Sequence, residues 1–277
     1  MPELPEVETV KNELIPYVVG RRIASVTLNW EGMVIPAAGQ FRSRLAGRKI
    51  TTITRRGKYL IFSLDSGDLL LIHLRMSGSL LVGTDVSSPP AYTRAVLHLD
   101  DGNNIFFRDP RKFGRMRLVA DAAAVVGRLG PEPLEAGFTA ITLAGLLVGR
   151  KAPLKAVLLD QNVIAGIGNM YADEALFAAG LHPLRPAGSL KPEEVKRLHR
   201  SIRWVLTAAI NARGASVSSY VRPGGQKGQA HFSFKVAHRR GEKCPVCATP
   251  LERLVVRGRG SYLCPKCQTL ENGDLRG

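Results

Sequence analysis

Cys244, Cys247, Cys264 and Cys267 are the chain's only cysteines, and all lie in its last 34 residues. They form two C-x-x-C pairs separated by 16 residues, the spacing of a four-cysteine zinc site. The pairs are predicted to frame a β-hairpin with Arg257-Gly258-Arg259-Gly260 at its tip. Four thiolates fill a tetrahedral shell and leave no position for water, so one structural Zn2+ is expected. Disulfides are the alternative, but they do not suit a chain that reads as cytosolic. A Gly-flanked arginine on a metal-braced tip can reach a phosphate or a groove. It can equally be a solvated basic turn.

The remaining 240 or so residues allow one large or two medium domains. Hydrophobic residues make up 45% of the chain, with no apolar run long enough to span a bilayer. No basic segment followed by an apolar one opens the sequence, so a cytoplasmic protein without a leader is expected. Lys and Arg total 39 against 23 Asp and Glu, a formal charge of +16. That excess calls for a polyanionic partner, nucleic acid before a membrane surface, since no strongly basic amphipathic helix stands out. With 6% aromatic residues, contact with a duplex backbone is favoured over stacking along single strands.

The amino-terminal residues, Met1-Pro2-Glu3-Leu4-Pro5-Glu6, admit two readings. One is an acidic first helical turn with an early proline. The other is chemical. Once Met1 is removed, Pro2 offers a secondary amine that can attack a carbonyl carbon and form an iminium ion, with Glu3 and Glu6 beside it.

Residues 5–15 are predicted to be a helix that Pro16 stops, with Val7, Val10 and Leu14 on one face. From Arg22 to about Val119 short apolar strands alternate with turns such as Asp65-Ser66-Gly67-Asp68, predicting an antiparallel β-sandwich or barrel. Residues 129–134 read as an interdomain linker. Helical segments follow around Leu154–Leu158, from Asn169 to Ala179, and from Ser189 as N-cap to Gly214. Residues 213–230 read as a mobile loop rich in Gly, Ser, Arg and Lys.

Several segments carry possible chemistry. Gln161 to Asn169 joins two helices through Gly166 and Gly168, and is either a helix corner or a phosphate cradle at a helix N-terminus. Arg108-Asp109-Pro110-Arg111-Lys112-Phe113-Gly114-Arg115 and Arg75-Met76-Ser77-Gly78-Ser79 are turns that present Arg111, Phe113 and Met76. These pack locally, or they form a wedge that fills a gap in a DNA stack. Lys58 begins a strand beside a basic turn and suits phosphate binding.

In this order the motifs resemble the formamidopyrimidine-DNA glycosylase family, also called 8-oxoguanine DNA glycosylase. The resemblance runs from Pro2 to about Gln268. It implies an α+β multidomain fold. Residues 1–130 would form a catalytic β-sandwich domain with an N-terminal helix, and 131–137 a linker. Residues 138–237 would form a helical helix–two-turn–helix domain, and 238–270 a four-cysteine zinc finger. It implies excision of oxidised purines from duplex DNA carrying a flipped-out lesion, then abasic-site cleavage by β- and δ-elimination, performed by a monomer. Pro2 would be the nucleophile and Glu3 the general acid, with Glu6 orienting or relaying protons. Lys58, Asn169 and Arg259 would grip phosphates with help from Lys155, and Lys58 and Arg259 belong with the catalytic set. Met76, Arg111 and Phe113 would fill the vacated stack, and His73 and Tyr92 complete the expected DNA contacts. Ala237-His238-Arg239-Arg240 departs from the family's Tyr-Gly-Arg stretch, and the loop Ser216–Gly228 looks divergent. The competing readings are an endonuclease VIII-like glycosylase for oxidised pyrimidines and a non-catalytic zinc-containing DNA-binding protein.

Overall fold

Residues 1–270 are described by a computed structural model. The chain divides into two units, one of Met1–Arg128 with Ile210–His231 and the other of Leu129–Ala209 with the residues from Phe232 on. The expected 138–237 helical domain is therefore split, because residues 210–231 pack with the amino-terminal unit.

The first unit opens with helix α1 (Leu4–Val18). Pro16 does not stop it but lies inside its last turn, and Val19 N–H closes the end on the Ile15 carbonyl at 3.1 Å. A proline costs most in a helix interior. Three residues from the end it forfeits one bond, and Ile15 still accepts one. Strands β1 (Ile23–Leu28) and β2 (Val34–Ile35), helix α2 (Ala38–Leu45) and strand β3 (Ile50–Arg56) follow. Next come β4 (Tyr59–Leu64), β5 (Leu69–His73), β6 (Ser79–Gly83), β7 (Thr93–Leu99), β8 (Asn104–Arg108) and β9 (Arg115–Val119). The strands form a four-stranded sheet, β1-β7-β8-β6, and a five-stranded sheet, β2-β9-β5-β4-β3. Pairing is antiparallel except for β2 with β9, so the expected antiparallel sandwich carries one short parallel edge. One apolar core takes Leu97, Ile105 and Phe107 from the first sheet and Ile53, Phe62 and Leu70 from the second. Val7, Val10, Leu14 and Val18 of α1 and Phe41 of α2 complete it.

The second unit holds the short helix α4 (Ala140–Leu147), α5 (Leu154–Leu159), α6 (Asn169–Ala179) and most of α7 (Pro192–Asn211), while α3 (Ala123–Val126) belongs to the first. Helix α7 starts at Pro192, not at a Ser189 cap: Ser189 sits in a 3-10 turn, its hydroxyl donating to the Pro186 carbonyl. Proline lacks an N–H and its φ is already helical, so it suits a first turn. Val195, Leu198, Ile202 and Val205 are buried along one face of this helix, while Ile210, which shares the apolar spacing, is only half-buried. The end comes at Asn211 rather than Gly214, through Arg213 at φ 61°. A second small core of Phe177, Val236, Cys244, Leu251 and Cys264 underlies the hairpin of β10 (Glu252–Val256) and β11 (Arg259–Leu263). Among the described residues, no helix is long and apolar enough to cross a membrane.

Candidate active site and nucleic-acid interface

The helix reading of the amino terminus is borne out by the capping of α1. Glu3 is the N-cap of α1, and Pro2, Glu3 and Glu6 are all buried. The Glu3 N–H donates to Glu6 Oε2 at 2.7 Å, half of a capping box. Glu6 is 0% exposed, and its Oε1 accepts the Ala215 N–H at 2.8 Å, from a residue 209 positions away. A helix cap needs no such distant donor. Glu6 therefore locks the first turn of α1 onto the 213–230 loop.

Lys58 does not begin a strand. Arg56 pairs with Tyr59, so Gly57 and Lys58 are the two-residue turn between β3 and β4, with Gly57 at φ 55°. The turn is braced by Arg55, which donates to the Gly57 carbonyl at 2.9 Å and to Glu8 of α1 at 2.7 Å. Lys58 is 7% exposed and acts electrostatically on His73. His73 Nδ1 accepts the Arg75 N–H at 2.9 Å, and its ring meets Tyr59 edge-on at 4.5 Å. Burial first, then Arg75 and Lys58, push the His73 imidazole down to about 3. It is thus neutral near pH 7, and with Nδ1 accepting, Nε2 carries the hydrogen and can donate.

The turn of Met76 and the turn of Arg111 and Phe113 are tied together by a residue the sequence reading did not single out. Asp109 is 1% exposed. It accepts hydrogen bonds from Ser77 Oγ at 2.5 Å, the Gly114 N–H at 2.7 Å and the Arg111 N–H at 3.2 Å. Met76 and Phe113 are each 43% exposed, standing out from turns that share this anchor. The Arg111 guanidinium lies 4.7 Å from the Phe113 ring centroid, so cation and ring form one group. Gly114 has no room for a side chain, since a Cβ would lie 2.4 Å from the Phe107 ring. Tyr92 is exposed at φ 66°, with Arg94 at 5.8 Å and Arg108 at 5.9 Å from its ring.

In the second unit the Gln161 side chain staples the corner before α6, donating to the Ile167 carbonyl at 2.8 Å and accepting the Gly166 N–H at 2.9 Å. Gly168 is the N-cap of α6, and Asn169 is its first residue. Asn169 Nδ2 donates to the Gly260 carbonyl at 2.9 Å, and its Oδ1 is buried without a hydrogen-bond partner. Lys155 was expected near phosphates, but it is 0% exposed and turned inward. Its Nζ lies 2.7 Å from Asp173 Oδ1 and donates to Ser261 Oγ at 2.8 Å and to the Gly260 carbonyl at 3.0 Å. Asp173 Oδ2 accepts the Tyr262 N–H at 3.2 Å. Burial pushes the Asp173 carboxyl up to about 7 against the pull of Lys155. Three side chains of α5 and α6 thus strap down the strand that begins with Arg259. Arg257 and Gly258, at φ 43° and 76°, form the tip, and Arg259 is exposed beside it, opposite Val256.

The four cysteines are free thiols whose sulfurs all lie within 4.8 Å of one another. A regular tetrahedron with Zn–S bonds of about 2.3 Å places sulfurs about 3.8 Å apart. Cys244–Cys267 is 3.8 Å, Cys247–Cys267 3.5 Å and Cys247–Cys264 3.4 Å. The Val246 and Cys267 N–H groups point at Cys244 and Cys264 sulfurs, each at 3.4 Å, as outer-shell donors to thiolates do. The donor set fits a structural zinc, held by Cys244, Cys247, Cys264 and Cys267.

Comparison with known proteins gives three family matches in chain order. Residues 1–116 match the formamidopyrimidine-DNA glycosylase N-terminal domain and 129–221 the H2TH domain of the same enzyme. Residues 241–270 match a zinc finger found in these glycosylases and in isoleucyl-tRNA synthetase. The formamidopyrimidine-DNA glycosylase of Chloroflexus aurantiacus is 47% identical over 271 residues, covering 97% of this chain and 98% of the relative. That of Symbiobacterium thermophilum is 45% identical, covering 99% and 91%. The crystal structure of the MutM (Fpg) protein of Thermus thermophilus superposes with a TM-score of 0.88 at 42% identity, covering 96% of this chain and 98% of that one. The Lactococcus lactis Fpg in complex with abasic-site DNA gives 0.91 at 33% identity, covering 97% and 100%. With all three domain models matched in order and relatives aligned over nearly its whole length, this chain belongs to the formamidopyrimidine-DNA glycosylase family.

Proposed function

We propose that the chain is a base-excision-repair DNA glycosylase. It removes 8-oxoguanine and formamidopyrimidines from duplex DNA, then cleaves the strand at the abasic site. The observation that carries the chemistry is the buried start of α1, where Pro2 and Glu3 stand at a helix N-terminus locked by Glu6. Removal of Met1 frees the Pro2 nitrogen. That nitrogen forms a bond to C1′ as the bond from C1′ to the base breaks, and the base leaves with the bonding pair and takes a proton. Glu3 donates a proton to the sugar ring oxygen, the ring opens, and an iminium ion joins Pro2 to C1′. The iminium acidifies C2′. Loss of that proton expels the 3′ phosphate, and a second elimination expels the 5′ phosphate. Hydrolysis of the iminium restores the amine.

Lys58, neutral His73, Asn169 and Arg259 are the phosphate-binding groups in this reading. Met76, Arg111, Phe113 and Tyr92 occupy or flank the vacated stack. The charge of +16 supports binding to a duplex. The zinc fixes the hairpin and takes no part in the chemistry. Four free thiols and bacterial relatives support a cytoplasmic enzyme, acting as a monomer.

Borohydride reduction of a mixture with abasic DNA tests this proposal. The expected product is a covalent adduct that mass spectrometry places on Pro2, absent in Pro2→Gly. Protein lacking Met1 that gives no adduct, or an undiminished adduct in Pro2→Gly, would overturn the proline mechanism.

A further inference from the structure

Sulfur is divided unevenly between the interior and the surface. Of the five methionines, Met33, Met116 and Met170 are buried. Met1 is exposed, but the function proposed above removes it. The four cysteine sulfurs face one another in the zinc set. Among the described residues, Met76, at 43% exposed, is thus the one methionine that the processed chain offers to solvent.

The turn around Met76 is fixed on both sides. The Gly78 N–H donates to the Leu74 carbonyl at 3.0 Å, and a Cβ at Gly78 would lie 2.4 Å from that oxygen, so the turn closes only around glycine. Arg75, just before Met76, is at φ 56° and its N–H donates to His73 Nδ1 at 2.9 Å. Ser77, just after it, is tied to buried Asp109. The Met76 carbonyl accepts the Ser219 hydroxyl at 3.4 Å. The backbone is held while the thioether side chain stays exposed.

In the function proposed above, on which this inference rests, Met76 enters the vacated stack. A thioether suits that gap because it makes dispersion contacts and asks for no hydrogen bond. Oxygen on the sulfur reverses this. A sulfoxide is polar, and burying it in the stack without a donor costs free energy.

We propose that Met76 is a site of reversible oxidation by hydrogen peroxide, and that its sulfoxide loosens the hold on lesion DNA. The sulfur lone pair attacks one peroxide oxygen and the O–O bond breaks. The departing hydroxide takes the proton left on the transferred oxygen and leaves as water. The thioether gives up two electrons to become the sulfoxide, and the peroxide accepts them. A methionine sulfoxide reductase returns the thioether.

Peroxide treatment of the zinc-loaded protein tests this, with zinc release followed by a chromogenic chelator. Peptide mass spectrometry should find one added oxygen on Met76 while Met33, Met116 and Met170 stay unmodified and zinc stays bound. A bound duplex carrying an abasic-site analogue should protect Met76. Once Met76 is fully oxidised, affinity for that duplex should fall about tenfold, or about 1.4 kcal/mol, the scale of one polar group buried without a partner. Reductases for both sulfoxide epimers should restore it. Met76→Leu, whatever its starting affinity, should lose nothing in the same treatment, and Met76→Gln should bind as weakly as the oxidised protein. The proposal is overturned by buried methionines oxidising as fast as Met76, by no protection from bound DNA, or by affinity that survives complete Met76 oxidation. It is equally overturned by a loss that follows zinc release or is matched in Met76→Leu. Untreated protein that neither excises 8-oxoguanine nor cleaves abasic DNA would instead overturn the proposed function.

Discussion

Lys155 offers the sharpest test, because surface and interior readings of the same lysine predict opposite results. Replace it with methionine, which fills the same volume without charge. Asp173, 1% exposed, then loses a cation 2.7 Å away, while the Gly260 carbonyl and Ser261 hydroxyl lose a shared donor. Removing one partner of a buried pair costs about 3–5 kcal/mol. Asp173 can escape part of that by taking a proton, which leaves about 2 kcal/mol. The two lost hydrogen bonds add about 1 kcal/mol each, for a total near 4 kcal/mol at pH 7.

The pH dependence follows from the sign of the shift. A carboxyl whose folded pKa lies above its unfolded value holds its proton more tightly when folded, so stability falls as pH rises between the two values. In the wild type that window closes near pH 7, where burial has already pushed the carboxyl. Without Lys155 the folded value rises further. The variant should keep losing about 1.4 kcal/mol per pH unit above 7, where the wild type is level. Urea unfolding of the zinc-loaded protein between pH 6 and 9 measures both effects. Adding Asp173→Asn should remove the extra slope. A Lys155→Met protein within 1 kcal/mol of wild type, with weaker duplex binding and a shallower salt dependence, would refute this reasoning. It would place the lysine on a phosphate.

Asp109→Ala removes the acceptor shared by Ser77, Arg111 and Gly114. It should cost about 3 kcal/mol by urea melt and weaken binding to lesion duplexes, with Asp109→Asn intermediate. His73, held down to about 3, favours folding above its unfolded pKa near 6.5 and loses that contribution as pH falls toward 3. Acid unfolding of His73→Gln should therefore be shallower, with about 2 kcal/mol less lost between pH 6.5 and 5; an unchanged profile would show an unburied imidazole. Chelating the zinc should free the four thiolates for titration, lower the unfolding midpoint and abolish duplex binding, because Cys244 and Cys264 belong to the small core under the hairpin. Unchanged binding by zinc-free protein would sever the finger from DNA recognition.

Much of this was legible in residue order alone. Two C-x-x-C pairs specify a zinc hairpin because four thiolates at that spacing have few other uses. Alternating apolar runs specify strands, and the 3.6-residue stripe of α7 specifies a buried helix face, because both signals are local. The Pro2-Glu3 terminus, the wedge turns and Asn169 are also local motifs, and the sequence brought each to notice. What only tertiary structure decided is which polar groups find each other. Lys155 and Asp173 are separated by 18 positions, Asp109 and Ser77 by 32, and Glu6 and Ala215 by 209. No periodicity links such pairs, since a buried charge accepts any partner that the fold delivers. The same limit misjudged the 213–230 loop. Its glycines and serines look mobile in composition, but Gly214 and Gly228 are there for close approach, and Glu6, Glu13 and Tyr220 hold what composition would leave free. Sequence determined which chemistry the chain carries. Burial and distant hydrogen-bond partners decided where that chemistry is held still.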